Sequence, residues 1–353
     1  MGIYFRWVLV FLLQIAFFSL RGEAQGLVPA IFTFGDSAVD VGNNDYIDTI
    51  FKANFPPYGR DFINHRATGR FSNGKLATDI TADTLGFTTY PPAYLSPQAS
   101  GQNLLIGANF ASAGSGYDDR TAIMSHAIPL TQQFRYYKEY QAKLANAAGN
   151  KKAASIIRDG LYIVSFGSSD FVQNYYINPL INKLYTPDQY SSQLVGIFSS
   201  FVTDLYNCGA RRIGVTSLPP LGCLPATITL FGFHQNGCVS RINNDAQCFN
   251  RKLTSAATNL PKQLPGLKIA VFDIYKPLYD LVQAPSDHGF AEARRGCCGT
   301  GTVETTSLLC NPKSIGTCRN ATQYVFWDAV HPSEAANQVL ADALITQGIS
   351  LIG

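Results

Sequence analysis

Ala30-Ile31-Phe32-Thr33-Phe34-Gly35-Asp36-Ser37 is the stretch that decides the fold. Its five apolar or β-branched residues, closed by a glycine, read as a buried parallel strand ending in a turn. A serine just past such a strand stands at the rim of a sheet, where open α/β sheets bind their ligands. Residues 103–110, 161–166, 212–217 and 267–274 have the same strand-like character. Longer helical patterns lie between them. Residues 75–85 form one, stopped by Gly86, and residues 130–148 form another with a polar face. Residues 187–207 are the clearest: Thr186 is the N-cap, Pro187 takes the first helical position and Gly209 follows the end. Its stripe of Tyr190, Leu194, Ile197, Phe198, Phe201 and Leu205 keeps the 3.6-residue period. Residues 239–260 and 334–346 complete the set, the last with Ser333 as candidate cap. Strand alternating with helix predicts an α/β protein with a central parallel sheet and right-handed crossovers. Residues 42–71 and 284–319 read as loop insertions, which around such a sheet commonly build the substrate site.

The bulk composition narrows the class. The 353 residues are 46% hydrophobic and 14% charged, enough for a sizeable core and far from a disordered composition. A net charge of +3, with basic residues paired only at Lys151-Lys152, Arg211-Arg212 and Arg294-Arg295, gives no footprint for a nucleic acid. The N-terminus reads as a signal peptide. Arg6 precedes an apolar run from Trp7 to Leu20, broken only by Gln14 and Ser19, and Gly22-Glu23-Ala24 supplies the small residues of a cleavage site. The run is short for a membrane span. Cleavage after Ala24 leaves residues 25–353 as a single domain, secreted and extracellular, with no transmembrane anchor; the cell wall is one such destination.

All eight cysteines lie in the second half: Cys208, Cys223, Cys238, Cys248, Cys297, Cys298, Cys310 and Cys318. An even count in an oxidising compartment makes disulfides the expectation for all of them. No Cys-x-x-Cys pair and no clustered histidine supports zinc. Adjacent Cys297 and Cys298 are expected to take two different partners; the connectivity stays open. Asn320-Ala321-Thr322 is a glycosylation sequon eight residues before Asp328.

Asp328-Ala329-Val330-His331 places a carboxylate and an imidazole three apart, on one face if the stretch is a helical turn. A serine is a weak nucleophile until a base reaches its proton and a third group holds that base. Of His65, His126, His234, His288 and His331, only His331 has an acid suitably spaced to orient it. Asp287 adjoins His288, but neighbouring side chains on a turn diverge. Ser37, His331 and Asp328 are therefore the candidate acyl-transfer triad. No Gly-x-Ser-x-Gly occurs, so the nucleophile elbow of the α/β-hydrolases is absent. Tyr175, Tyr176, Phe231 and Phe233 either line an acyl groove or pack loops onto the core.

Phe34-Gly35-Asp36-Ser37-Ala38-Val39-Asp40-Val41-Gly42-Asn43-Asn44 resembles the first signature block of the plant GDSL esterase/lipases, a branch of the SGNH hydrolases. Asp328-Ala329-Val330-His331-Pro332 resembles the last block. Asn109-Phe110-Ala111-Ser112-Ala113-Gly114-Ser115-Gly116 is similar to the second and Gly167-Ser168-Ser169-Asp170 to the third. Order and spacing match across essentially the whole chain after the leader. Gly296-Cys297-Cys298-Gly299 and Tyr324-Val325-Phe326-Trp327-Asp328 resemble the anther-specific proline-rich-protein-like subgroup, without a proline-rich extension.

The resemblance implies a flavodoxin-like three-layer α/β/α sandwich. It implies Ser37 as nucleophile, His331 as general base and acid, and Asp328 as the orienting acid. It implies an oxyanion hole built from the Ser37 N–H, a glycine of the second block and an asparagine of the third. The glycine maps to Gly114, with Gly116 as the alternative. The third block departs from Gly-x-Asn-Asp, because Ser169 stands where the asparagine belongs. Ser169 then donates directly or through water, another donor such as Asn174 reaches in, or turnover is slow. Asp36, Asp40, Asn43 and Asn44 are expected to shape the surrounding loop.

The function this implies is that of a secreted serine esterase or lipase acting on a small-molecule or polymer-bound ester: lipid, cutin or wax, or acetylated polysaccharide. It needs no metal or organic cofactor. A binding or signalling protein on the same scaffold and an acyltransferase are the competing readings.

Overall fold

The computed structural model describes residues 27–233, 237–299, 310–314 and 316–352. The expected leader, residues 1–24, and His234 lie outside them. Strand β1 (Ile31–Gly35) is buried along its whole length. Its side chains alternate between two faces, as the pleat requires. Phe32 and Phe34 enter one apolar cluster and Ile31 another. Strand β3 (Leu161–Ser165) divides the same way, Tyr162 and Val164 against Leu161 and Ile163. With β2 (Gly107–Asn109), β4 (Arg212–Thr216) and β5 (Lys268–Phe272) these strands form a parallel sheet in the order β2-β1-β3-β4-β5. Ile31 lies opposite Gly107 on one side and Leu161 on the other.

A sheet apolar on both faces must be covered on both. Helices Leu130–Ala148, Pro187–Asn207 and Ser240–Gln263 cover the Phe32–Phe34 face with Tyr137, Tyr140, Phe198, Phe201 and Phe249. Helices Ala77–Thr84 and Glu334–Ile352 cover the other with Ala82, Leu344 and Leu351. The result is a three-layer α/β/α sandwich. Full burial of each large apolar side chain contributes about 1.5–3 kcal/mol, and ring edges meet ring faces, as at Phe34–Phe201 (5.2 Å). The expected caps form. Thr186 and Gln189 make a reciprocal capping box, and Ser333 Oγ accepts from the Ala336 N–H at 3.2 Å.

The strand order is the flavodoxin-like one, in which the chain winds outward in both directions from β1. The carboxyl ends of β2, β1 and β3 are therefore side by side, and the segments that follow them are the second, first and third sequence blocks.

Several elements differ from the sequence reading. The first half of residues 103–110 belongs to a 3-10 turn (Gly101–Ile106), and only Gly107–Asn109 pairs as strand. Gly107 has φ +100° and backs onto the Ile31 carbonyl, so no side chain fits there. Helices Asn150–Asp159 and Tyr275–Gln283 were not expected. The stretch 284–319 is more than loop, because β6 (Glu292–Gly296) pairs in parallel with β7 (Tyr324–Phe326). Glu-Ala-Arg-Arg-Gly has no apolar alternation; the pairing and the disulfides beside it hold it in place.

Three disulfides form: Cys223–Cys238, Cys297–Cys318 and Cys298–Cys310, the adjacent cysteines taking separate partners. Cys208 and Cys248 stay thiols, which corrects the expectation that all eight pair. The reason is distance. Cys248 Sγ lies 3.4 Å from Asp188 at the start of helix Pro187–Asn207, whereas Cys208 caps its end. Twenty residues of helix separate those points by about 30 Å.

Candidate active site

Ser37 leaves the end of β1, and its backbone is held from behind. Gln133, fully buried, grips Gly35 with both ends of its carboxamide: Oε1 accepts the Gly35 N–H at 3.1 Å and Nε2 donates to the Gly35 carbonyl at 3.0 Å. Nothing in the sequence marks Gln133, which is 98 residues from its partner. Asp40 shapes the loop after the serine, accepting the N–H groups of Gly42, Asn43 and Ala113. Asn43 bridges to the carbonyls of Asn109 and Ala111, and Asn44 to those of Phe51 and Ala113. The first and second blocks are thus one hydrogen-bonded unit.

The His331 side chain arrives from the far end of the chain. Its Nε2 lies 2.7 Å from Ser37 Oγ, and its Nδ1 lies 2.9 and 3.0 Å from the two Asp328 oxygens. Asp328 and His331 sit in a tight turn rather than a helical one. Asp328 Oδ1 accepts the Val330 and His331 N–H groups at 2.8 Å each, while the Trp327 N–H donates to the His331 carbonyl. The same carboxylate therefore folds the turn and holds the ring. The fourth donor to Asp328 is the Tyr58 hydroxyl, 2.8 Å from Oδ2, a residue the sequence reading passed over. Asp328 is wholly buried. Burial alone would raise its pKa, but the His331 charge and these hydrogen bonds outweigh it and hold the carboxyl below its ordinary value. Phe71 packs 4.9 Å from the imidazole ring. The other described histidines, His65, His126 and His288, are exposed and take no part.

The backbone N–H groups of Ser37 and of Gly114, which line the same cleft, make no hydrogen bond among the described residues. Gly114 has φ +85°, and a Cβ there would meet Ser125 at 2.8 Å. It lines the cleft over Ser37, which also includes Phe51, Ser169, Gln173 and His331. Gly116 does not; it backs onto Asp170, where a Cβ would fall 2.2 Å from a carboxylate oxygen.

Ser169 follows β3, is buried and lines the cleft, its hydroxyl without a hydrogen-bond partner among the described residues. Asn174, the other donor considered, is committed elsewhere: its Nδ2 donates to Thr121 and Tyr190, and it is fully buried off the cleft. Gln173, one residue earlier on the π-helical stretch Asp170–Ile177, lines the cleft instead. The Ser125 hydroxyl donates to Gln173 Oε1 at 2.9 Å and fixes that end of the carboxamide, leaving the NH₂ end without a partner among the described residues. The departure at position 169 was the only signal that could have led to it.

Asp36 is framework, accepting the Ala38 N–H at 3.1 Å. Burial raises its pKa to about 6, offset by hydrogen bonds from Ala38 and Ser169 and by the His331 charge. None of Tyr175, Tyr176, Phe231 and Phe233 lines the cleft; Tyr176 bonds Asp245 and packs on Phe231, and Phe233 is exposed. Asn320 is exposed, its side-chain oxygen accepting from the Thr322 hydroxyl at 2.7 Å.

A serine, an imidazole and a carboxylate in hydrogen-bonded series, in a cleft that also holds two N–H groups unengaged among the described residues, make an arrangement suited to acyl transfer. Comparison with known proteins agrees with that chemistry. The family model for the GDSL-like lipase/acylhydrolases matches residues 31–344. The chain belongs to the GDSL esterase/lipase family. It is 71% identical over 327 residues to GDSL esterase/lipase APG of Arabidopsis thaliana, covering 93% of each chain. Two further Arabidopsis GDSL esterase/lipases are 62% and 60% identical, over 94% and 95% of this chain and 92% and 95% of theirs. Among solved structures, an acetylxylan esterase of Geobacillus stearothermophilus aligns over 92% of this chain and 94% of its own, with 13% identity and a TM-score of 0.42, too loose a likeness to bear on the site. As a member of this family the protein is a carboxylic ester hydrolase.

Proposed function

We propose that this GDSL esterase/lipase is a secreted serine esterase that works through an acyl-enzyme. Ser37 is the nucleophile, His331 the general base and acid, and Asp328 the acid that orients His331. The observation that carries the reading is the hydrogen-bonded series Ser37 Oγ–His331 Nε2, His331 Nδ1–Asp328. Nε2 takes the Ser37 proton as Oγ bonds the ester carbonyl carbon, and the π pair moves onto the carbonyl oxygen. The tetrahedral species collapses, the C–O bond to the alcohol breaks, and Nε2 returns the proton to the departing alkoxide. Water repeats the steps, releasing the acid and restoring Ser37. Every proton is carried by the side chains named, so the reading calls for no metal or organic cofactor.

The N–H groups of Ser37 and Gly114 face the developing oxyanion, with the Ser169 hydroxyl as third donor. The vacant NH₂ of Gln173 favours a second reading of that third place. The substrate is a small-molecule or polymer-bound ester of the lipid, cutin or wax, or acetylated-polysaccharide classes; no role for nucleic acid enters. Residues 1–24 act as a removable signal and 25–353 as one domain. None of the described helices is long and apolar enough to cross a membrane. Exposed Asn320 is its glycan acceptor.

The test is Ser37→Ala together with a fluorophosphonate probe. The wild type hydrolyses p-nitrophenyl butyrate and is labelled at Ser37; the folded variant does neither. Undiminished hydrolysis by the variant would remove Ser37 from its role. A folded wild type that is neither active nor labelled would favour a binding protein on this scaffold, and acyl products on alcohols rather than water would favour an acyltransferase.

A further inference from the structure

Two motifs that stand apart in the sequence, Gly296-Cys297-Cys298-Gly299 and Tyr324-Val325-Phe326-Trp327-Asp328, run side by side in the fold. Beyond the pairing of Gly296 with Phe326, the Cys297 N–H donates to the Phe326 carbonyl at 3.0 Å and the Cys298 N–H to the Trp327 carbonyl at 2.7 Å. This ladder holds the backbone up to the residue before Asp328. Gly296 itself backs onto that acid. A Cβ at position 296 would fall 2.7 Å from the Asp328 carbonyl carbon and 2.8 Å from its Cα and its carbonyl oxygen. Gly296 has no positive φ, so what the glycine supplies is room for Asp328 rather than an unusual backbone. The strand is anchored on its other side. Cys297 is bridged to Cys318 and accepts the Cys318 N–H on its carbonyl at 2.7 Å, while Cys298 is bridged to Cys310. Arg60, 5.1 Å over the Trp327 ring, donates to the Cys318 carbonyl at 2.6 Å.

We propose that Gly296 is a positioning residue for ester hydrolysis: pinned by the Cys297–Cys318 bridge, it fixes where Asp328 stands and so how Asp328 meets His331. The proposal rests on the acyl-enzyme reading above, in which Asp328 orients the base. A methyl group at position 296 needs about 0.6–0.7 Å more room to reach the 3.4 Å of ordinary contact. The bridged strand cannot retreat by that much without pulling on Cys318, so the acid gives way. Its carboxylate meets His331 Nδ1 at 2.9 and 3.0 Å. A misplacement of about 1 Å can cost about 10² in rate, and the smaller shift here corresponds to roughly tenfold. Neither Gly296 nor Asp328 lines the cleft over Ser37, so the loss falls on kcat and not on KM.

The test is Gly296→Ala, read by steady-state kinetics on p-nitrophenyl butyrate and by the downfield proton resonance of the His331–Asp328 hydrogen bond, which is assigned by its absence from Asp328→Asn. The variant, shown to fold by circular dichroism, loses roughly tenfold in kcat with KM unchanged, and its resonance shifts or disappears. Gly196→Ala, at an exposed glycine with nothing within 4 Å, matches the wild type in both. Removing the bridge tells positioning from general damage. Cys297→Ala with Cys318→Ala lowers kcat measurably, and in that background Gly296→Ala costs less than it does alone, because the strand is free to retreat. A folded Gly296→Ala with wild-type kcat and an unshifted resonance overturns the proposal, as does a cost that is the same with and without the bridge. Should Gly296→Ala not fold, the bridge-free variant decides: unchanged kcat and resonance there overturn the proposal. Asp328→Asn separates this proposal from the mechanism. If it hydrolyses as fast as the wild type, the mechanism fails, and the resonance alone then judges whether Gly296 sets the contact between Asp328 and His331.

Discussion

Replacing Tyr58 by phenylalanine removes one oxygen and leaves the ring. The ring keeps its contacts with Phe55 and Phe71, each 5.6 Å away, and with Trp327 at 6.3 Å, while the 2.8 Å hydrogen bond to Asp328 is lost. A hydrogen bond to a buried charged group contributes about 1.5–3 kcal/mol, against about 0.5–1.5 kcal/mol between neutral groups. The sign with pH follows from Asp328. Its folded pKa lies below its ordinary value, so its contribution to stability is present above the unfolded pKa and lost as pH falls through the folded one. Tyr58→Phe should therefore destabilise by about 1.5–3 kcal/mol at pH 7.5, shrinking toward about 0.5–1.5 kcal/mol once Asp328 is protonated. Because that carboxylate also orients His331, kcat should fall about tenfold, equivalent to about 1.4 kcal/mol of barrier. Guanidinium unfolding at neutral and acidic pH, with steady-state kinetics on a butyrate ester, measures both. A destabilisation independent of pH, or a variant as stable and as fast as the wild type, would refute the reasoning.

The third oxyanion donor is assigned by comparing Ser169→Ala with Gln173→Leu. Losing a working donor should cost about 10²–10³ in kcat with KM little changed; the loss is expected at Ser169, and a loss confined to Gln173→Leu transfers the role to the carboxamide anchored by Ser125. Stability should rise as pH falls from 8 to 5. Burial, the leading cause for each, raises Asp36 to about 6 and both Asp40 and Asp170 to about 7. Groups with raised folded pKa values stabilise most below their unfolded value and lose that contribution as pH climbs through the folded one. Thermal midpoints at constant ionic strength check this, and a midpoint that drops steadily from pH 8 to pH 5 contradicts it.

The sheet was legible because each of its longer strands is an apolar run bounded by turn residues, and the helix Pro187–Asn207 because its cap, proline and apolar stripe agree. Strand β6 was not, since Glu292, Arg294 and Arg295 face solvent or each other and its place depends on β7. The acid–base pair could be singled out because its spacing is local, although the turn that realises it is not helical. Tyr58 and Gln133 could not: Tyr58 meets Asp328 across 270 residues and Gln133 meets Gly35 across 98. Both are ordinary residue types whose value comes only from where the fold delivers them. Gln173 was hidden similarly, because a π-helical stretch sets which side chain faces the cleft.

The serine and its base stand 294 residues apart in the chain. During synthesis from the N-terminus, β1 and its serine turn exist long before the turn bearing Asp328 and His331 has been made. A nascent chain of this design carries Ser37 without its hydrogen-bond partner His331 until nearly all of the polypeptide has emerged, and a product cut short before residue 328 has the proposed nucleophile without its proposed base. On the proposed mechanism, hydrolytic competence then waits for the last stretch of the chain to be made, so the reaction is coupled to completion of the molecule.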